Sequence, residues 1–138
     1  MADSEAESED NSSIVVVDPD PASRNLSEDL EDDFDRQIIA MDSVEFDTDS
    51  SEEILEAGVY IISWDLEIRS GADLIEEIRL NPRLSTKTVL IATDEPTPSL
   101  VRWALELGAD GICMKPYEAD EIGKLLERAR ETRSAKAA

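Results

Sequence analysis

The sequence predicts an α/β fold in which one parallel β-sheet lies between two layers of helices, a three-layer α/β/α sandwich. Short apolar segments alternate five times with segments of helical periodicity along the 138 residues. The apolar segments are continuous and lack the alternation of apolar and polar residues that a half-solvated sheet requires, which favours strands buried on both faces. The length suffices for one compact domain and is too short for two.

The first unit follows from local composition. Residues 14–17 are β-branched and end at an Asp-Pro pair, as expected of a fully buried strand. A helix begins at Pro21, because the missing N–H of proline costs no hydrogen bond in the first turn. Its apolar stripe consists of Leu26, Leu30 and Phe34. Residues 37–41 form the second predicted strand, and the polar residues 42–50 form a loop.

The next units contain the third and fourth strands, at 59–63 and 88–92, each a run of aliphatic and β-branched residues. Ser51 is a favourable N-cap for a short helix over 52–57, which Gly58 ends. A second helix covers 72–80 after a loop.

The last units contain a helix over 98–107, a fifth strand over 111–114 and a final helix from 118 to about 130. The inward positions of the three longer helices recur at helical spacing: Leu74, Ile75, Ile78, Leu100, Val101, Ala104, Leu105, Ile122, Leu125, Leu126 and Ala129. We therefore expect one domain over residues 13–131, preceded by a disordered acidic tail over 1–12 and followed by a flexible tail over 132–138.

The charge of the chain is concentrated in one half. The net charge is −21, and residues 1–68 hold 22 acidic and 2 basic residues, a net charge of −20. Such acidity repels phosphate backbones and anionic lipids, so we expect neither nucleic-acid binding nor membrane-surface binding. The asymmetry indicates an acidic tail together with an acidic face.

Several kinds of chemistry are excluded by composition. The chain has no histidine and one cysteine, Cys113, which excludes Ser-His and Cys-His nucleophile pairs, intrachain disulfides and CxxC sites. The longest apolar runs are too short to span a bilayer, and the acidic N-terminus does not resemble a signal peptide. We therefore expect a cytoplasmic protein that is not an enzyme.

The residues that follow four of the predicted strands at their carboxyl ends are mostly polar, and parallel sheets bind ligands at this edge. These residues are Asp18, Pro19, Asp20, Ser63, Asp65, Thr93, Asp94 and Lys115. They are the candidate site.

Over residues 13–130, the sequence resembles the receiver domains of two-component response regulators. The Asp18 that ends the first strand, the Thr93 that ends the fourth, and Gly71 with the helix after it resemble that family, and the most specific match is Lys115-Pro116-Tyr117. The resemblance implies the flavodoxin-like fold, with strand order 2-1-3-4-5. It also implies an aspartate that accepts a phosphoryl group and two acidic residues that hold Mg²⁺, a hard cation that prefers oxygen ligands.

The chain departs from this pattern where the chemistry occurs. When the third strand is aligned through Gly71, the acceptor position falls on Ser63, whose neutral hydroxyl has no histidine to activate it. Pro19 replaces one metal carboxylate, and Asp94 adds a negative charge where the family has a small residue. These changes indicate a degenerate pseudo-receiver, with no cofactor, that acts as a phosphorylation-independent protein–protein interaction module in bacterial two-component signalling.

Two other interpretations stay open. A shorter loop before Gly71 would make Asp65 the acceptor in a working receiver that uses Mg²⁺, with Asp20 as a substitute ligand. Alternatively, the half-pocket of Asp18, Ser63, Thr93 and Lys115 binds a small ligand. In the pseudo-receiver we expect Lys115 to pair with Asp18 or Asp94, because a buried unpaired ammonium is costly.

The partner of such a module is an unidentified signalling protein. The resemblance implies that it docks on the face formed by the fourth predicted helix, the fifth strand and the last helix, with Trp103, Ile112 and Tyr117 as candidate contacts. The same face could join two copies of the chain in a homodimer.

Overall fold

The computed structural model describes residues 12–48, 51–66 and 69–137, and it contains a five-stranded parallel sheet. The strand order is β2-β1-β3-β4-β5, so the predicted fold class and topology are confirmed. The strands are β1 (Ile14–Val17), β2 (Ile38–Met41), β3 (Val59–Ser63), β4 (Thr88–Thr93) and β5 (Gly111–Met114). The helices are α1 (Pro21–Glu28), α2 (Leu30–Phe34), α3 (Glu52–Glu56), α4 (Gly71–Leu80), α5 (Pro98–Leu107) and α6 (Ala119–Ala137).

The central strands are buried on both faces, as their continuous apolar composition predicts. Successive residues of a strand point to opposite faces, so Val15 and Val17 join one apolar cluster while Ile14 and Val16 join another. The first cluster also contains residues of α3, α4 and α5, and the second contains residues of α2 and α6. The sheet is therefore enclosed between two layers, and its strand ends are left free to form a site.

The structure corrects three details of the predicted helices. The helix predicted from Pro21 is divided at Asp29 into α1 and α2, and Leu26 is exposed, whereas Leu30 is buried. On α5, Leu105 lies about 100° around the axis from the buried Ala104 and is half-exposed instead of facing inward.

The last helix is longer than predicted. It continues to Ala137 instead of ending near Arg130. No proline or glycine interrupts residues 131–137, and alanine and arginine in this segment favour helix. The predicted N-terminal tail falls almost entirely on residues 1–11, which lie outside the described part of the chain. Within the described ranges, none of the helices combines the length and the hydropathy that a membrane crossing requires.

Candidate functional site

The register of the sheet places the candidate residues at one edge. Val17 pairs with Ile62, and Ser63 pairs with Ala92, so Asp18 and Ser63 leave adjacent strands at the same level. Thr93 pairs with Met114 on β5, which brings Lys115 to this edge as well. Residues that are far apart in sequence thus meet at the carboxyl ends of β1, β3, β4 and β5.

Asp18 is the centre of this site, and its side chain is completely buried. Nζ of Lys115 lies 3.0 Å from Oδ2 of Asp18, which forms the ion pair that the sequence led us to expect. The hydroxyl of Tyr117 donates to the same Oδ2 at 2.6 Å. Oδ1 accepts the backbone N–H of Asp20 at 2.9 Å, so both carboxylate oxygens are occupied.

Ser63 is also buried, and it faces the ammonium group of Lys115. Nζ of Lys115 donates to Oγ of Ser63 at 2.8 Å, and the Ser63 hydroxyl donates to the carbonyl oxygen of Asp65 at 3.4 Å. The lysine therefore bridges a carboxylate and a neutral hydroxyl. The side chain in contact with this hydroxyl is an ammonium group that donates to it and is paired with Asp18, so it does not accept the serine proton and the geometry does not activate Ser63 as a nucleophile.

Thr93 completes the buried part of the site. Its Oγ1 accepts the backbone N–H of Glu95 at 3.3 Å, while its carbonyl oxygen accepts the N–H of Lys115 at 3.0 Å. The threonine thus stabilises the turn after β4 and the start of the segment that carries Lys115.

Asp18, Ser63, Thr93, Lys115 and Tyr117 form a buried network, and the side chains of the other predicted site residues lie outside it. Asp20 is exposed, and its carboxylate caps α1 by accepting the N–H of Ala22 at 3.0 Å and the hydroxyl of Ser23 at 3.3 Å. Pro19 lies between Asp18 and this cap and offers no side-chain ligand. The cap explains why Asp20 does not turn toward the site.

A shallow depression of about 380 Å³ opens beside the buried network. Its lining consists of Trp64, Asp65, Thr93, Asp94, Glu95 and Leu100. Three of these residues are acidic, and none of the three is in an ion pair between described residues. An incoming phosphoryl group would meet three negative charges here, and like charges repel at short range.

The carboxyl end of β3 is held in place by the start of α4. The N–H of Gly71 donates to the carbonyl oxygen of Trp64 at 3.1 Å, and Ser70 and Asp73 cap the helix reciprocally. A Cβ at position 71 would lie 2.8 Å from the carbonyl oxygen of Ser63. The close approach of α4 to the end of β3 therefore requires glycine.

Burial changes the acidity of two side chains near the site. Desolvation raises the pKa of the Tyr117 hydroxyl far above its ordinary value, and the hydrogen bond to Asp18 and the charge of that carboxylate raise it further. Desolvation likewise raises the pKa of the Cys113 thiol to about 12. Both groups are therefore neutral at physiological pH, and Cys113 is an inert residue of the core.

The structure changes the set of candidate partner contacts. Tyr117 is only 6% exposed, and its hydroxyl points to Asp18, so it is a packing residue and is not available as one of the candidate surface contacts. Trp103 is 53% exposed, and its indole packs edge-to-face against Trp64, with ring centroids 5.1 Å apart. Ile112 is partly buried against the core.

Two half-exposed apolar residues were not among the predicted contacts. Met114 points to the same face of the edge strand β5 as Ile112, because Cys113 between them points to the other. Leu105 lies on α5, the helix that packs beside this strand. Their sequence signal is weak, because an apolar residue on a strand or helix ordinarily indicates core.

The role of Tyr117 in the buried network was not predicted from the sequence. The only sequence feature that could have indicated it is the hydroxyl group of Tyr117, for which no hydrogen-bond partner was predicted. A second missed contact is Arg24, whose Nη1 donates to the carbonyl oxygen of Asp18 at 2.7 Å and fixes the backbone there.

No protein-family model matches the chain. Solved structures match it over most of its length. The Vibrio cholerae chemotaxis protein CheY4 is 18% identical, with a TM-score of 0.69, over 86% of this chain and 98% of that one. The chain has the receiver fold. The receiver domain of a signal transduction histidine kinase from Syntrophus aciditrophicus is 20% identical, with a TM-score of 0.68, over 86% and 89% of the two chains.

A longer protein contains the same fold as one part. NtrX from Brucella abortus, solved in complex with ATP, is 23% identical with a TM-score of 0.73, and the match covers 92% of this chain and 28% of that one. These likenesses establish the receiver fold of the chain, while the function must be argued from the residues at its strand ends.

Proposed function

We propose that this chain is a pseudo-receiver, a non-catalytic module that binds a protein partner in two-component signalling without being phosphorylated. One observation carries the proposal. A serine hydroxyl, not a carboxylate, ends β3 and faces Lys115, and that lysine is already bound to Asp18. A serine cannot form the acyl phosphate that the resemblance to receivers implies, and no group in contact with it serves as a base.

The surroundings of Ser63 support the same proposal. The buried network leaves no unpaired cation to receive phosphoryl oxygens, because Nζ of Lys115 already contacts both Asp18 and Ser63. The open side of the site carries Asp65, Asp94 and Glu95. Both features disfavour an incoming dianion, and the saturation of the buried groups disfavours a small ligand in the half-pocket.

Phosphorylation of Asp65 with Mg²⁺ is the competing function. Asp65 is exposed and lines the depression beside Thr93, so a phosphodonor could reach it. The test is incubation with acetyl phosphate and Mg²⁺, followed by intact-mass spectrometry and tryptophan fluorescence. We expect no covalent adduct and no fluorescence change. An Mg²⁺-dependent adduct that is lost in Asp65→Asn would overturn the pseudo-receiver and establish the competing function.

The surface formed by α5, β5 and α6, called here the α5–β5 face, is the proposed partner surface. Leu105 and Met114 are half-exposed apolar residues on two of these elements, and loss of apolar contact weakens binding. We expect Leu105→Glu and Met114→Glu to reduce affinity capture of the partner from the source organism, with or without acetyl phosphate. Leu80→Glu, at an exposed leucine on α4, is the matched control and should leave capture unchanged. Unchanged capture by all three variants would indicate another surface.

A further inference from the structure

The residues around Asp18 do not fit the divalent cation that the receiver fold implies. A magnesium site needs near-octahedral oxygen coordination, with one or two carboxylates that are free to bind. Here Oδ2 of Asp18 forms an ion pair with Nζ of Lys115 and accepts a hydrogen bond from Tyr117, and Oδ1 accepts a second hydrogen bond from the N–H of Asp20. A carboxylate offers about four lone-pair positions, and here two accept hydrogen bonds while an ammonium group lies against Oδ2.

The neighbouring positions offer no replacement ligand. Pro19 has no side-chain donor atom, and the carboxylate of Asp20 is used as the cap of α1. Ser63 presents a neutral hydroxyl that already contacts the ammonium group. Within the part of the chain that the structure describes, no three acidic or cysteine side chains are arranged to hold a metal ion.

The charge that a cation would supply is already present in the chain. The ammonium group of Lys115 neutralises the carboxylate, and the short hydrogen bond from Tyr117 is of the charge-assisted kind, which is stronger than a bond between neutral groups. Asp18 is completely buried, and a carboxylate in that position must be paired.

We infer that Lys115 is a built-in counter-cation for Asp18, and that Tyr117, through its neutral hydroxyl, is the residue that closes this carboxylate to divalent metals. The inference deepens the proposed function and rests on it, because a module that signals without phosphorylation has no need of the metal. Tyr117 acts here as a positioning residue: it holds one oxygen of Asp18 toward the inside of the fold.

The inference is tested by Mg²⁺ binding to designed variants without any phosphodonor. Pro19→Asp restores a second carboxylate beside Asp18, and Tyr117→Phe removes the hydroxyl while keeping the ring. We compare the wild type, Pro19→Asp, and the double variant Pro19→Asp/Tyr117→Phe by calorimetric titration with MgCl₂, using circular dichroism to confirm folding. The readout is a gain of binding, which a merely structural role of the hydroxyl would not produce.

We expect the double variant to bind Mg²⁺ about tenfold or more tighter than Pro19→Asp. This factor corresponds to the free energy of one charge-assisted hydrogen bond, which Mg²⁺ no longer has to displace. Equal binding by both variants would overturn the inference, since Tyr117 would not be the barrier. Folded variants that both fail to bind would overturn it as well, because Asp18 would then be closed by other means.

A measurement on the wild-type chain keeps the inference testable should the variants fail to fold. We expect its melting temperature to be the same in excess Mg²⁺ and in excess EDTA, because a ligand that binds only the native state raises this temperature. An Mg²⁺-dependent rise would overturn the inference. A phosphoryl adduct with acetyl phosphate would instead contradict the proposed function, so the two failures are distinguishable.

Discussion

At the scale of single residues, Lys115 determines the character of the site. It reaches from the end of β5 to the residues that end β1 and β3, and it is the only cation in contact with the Asp18 carboxylate among the described residues. Such a pair contributes little net stability compared with an apolar pair of the same shape, yet removing one partner leaves an uncompensated charge inside the protein. Lys115 is therefore needed for the stability of the fold as long as Asp18 is present.

We predict that Lys115→Met lowers the free energy of unfolding by about 3 kcal/mol, because Asp18 is then buried without a counter-charge. The double variant Asp18→Asn/Lys115→Met should cost clearly less than the sum of the two single variants, since the unpaired charge is gone. Urea unfolding of the four proteins measures both effects.

Lys124→Met is the control for this experiment. This lysine is exposed on α6, so its replacement should change the free energy of unfolding by no more than about 0.5 kcal/mol. A loss at position 115 as small as that at position 124 would mean that Asp18 is solvated in solution.

At the scale of secondary-structure elements, the contact between α4 and the end of β3 positions the site. The N–H of Gly71 holds the carbonyl oxygen of Trp64, and the residue just before Trp64 is Ser63. A change in the packing of this helix is therefore transmitted directly to the strand end that carries the hydroxyl. The reciprocal cap of Ser70 and Asp73 fixes the point at which the helix begins.

We predict that Gly71→Ala lowers the free energy of unfolding by about 2 kcal/mol and changes the fluorescence of Trp64. The added Cβ would lie 2.8 Å from the carbonyl oxygen of Ser63 and 2.9 Å from Cα of Trp64. Both are backbone atoms, so the end of β3 must shift, with a cost typical of overpacking. Thermal or urea unfolding and emission spectra test this.

Gly123→Ala is the matched substitution on another helix. A Cβ there would meet only Cε1 of Phe34, at 3.5 Å, an ordinary contact. Alanine has the higher helix propensity, so we expect a gain of about 0.5 to 1 kcal/mol. A comparable loss at both positions would contradict the steric argument for Gly71.

The elements themselves were largely predictable, because their signals are local. The strands 14–17 and 59–63 are apolar runs that only a doubly covered sheet can bury, and Gly108 marks the end of α5. The direction in which each side chain of a helix points was harder to predict. Leu105 belongs to an apolar cluster in sequence, yet its place on the flank of α5 depends on how that helix lies on the sheet.

The site was predictable to the extent that charge balance determines it. A lysine among carboxylates must pair, and Asp18 is the buried one. The role of Tyr117 was not predictable from sequence, because whether an aromatic ring turns inward is decided by packing between the segment after β5 and the end of β1. The same packing buries this candidate surface contact and directs its hydroxyl to the carboxylate of Asp18.

At the scale of the whole molecule, the chain separates its charges from a core that is almost entirely neutral. Acidic residues are concentrated in the first half of the sequence, where the net charge of residues 1–68 is −20. Inside, the fold buries two tyrosines and one cysteine, whose pKa values are all raised by desolvation. These groups lower the free energy of unfolding at alkaline pH, because each must stay protonated in the folded state.

The sign of this linkage follows from the proton balance. Unfolded tyrosine has a pKa of 10.0 and unfolded cysteine one of 9.0, and burial raises both in the native protein. As the pH rises through these unfolded values, the unfolded chain loses protons that the native state keeps. These groups therefore leave the free energy of unfolding unchanged below about pH 9. Above that pH the free energy of unfolding declines, by up to about 1.4 kcal/mol per pH unit for each group.

We predict that Tyr117→Phe is less stable than the wild type near neutral pH but loses stability more slowly above about pH 10. The variant lacks the hydrogen bond to Asp18 at every pH, so it is destabilised at neutral pH as well. It also lacks the ionisable hydroxyl of residue 117, and this removes one contribution to the fall in stability at alkaline pH. Urea unfolding at intervals from about pH 8 to about pH 11 measures both slopes. Tyr60→Phe, at the other buried tyrosine, should flatten the alkaline decline without affecting Asp18. Equal slopes for the wild type and Tyr117→Phe would place the hydroxyl of Tyr117 in contact with solvent, and Asp18 would then lack the hydrogen bond that Tyr117 donates.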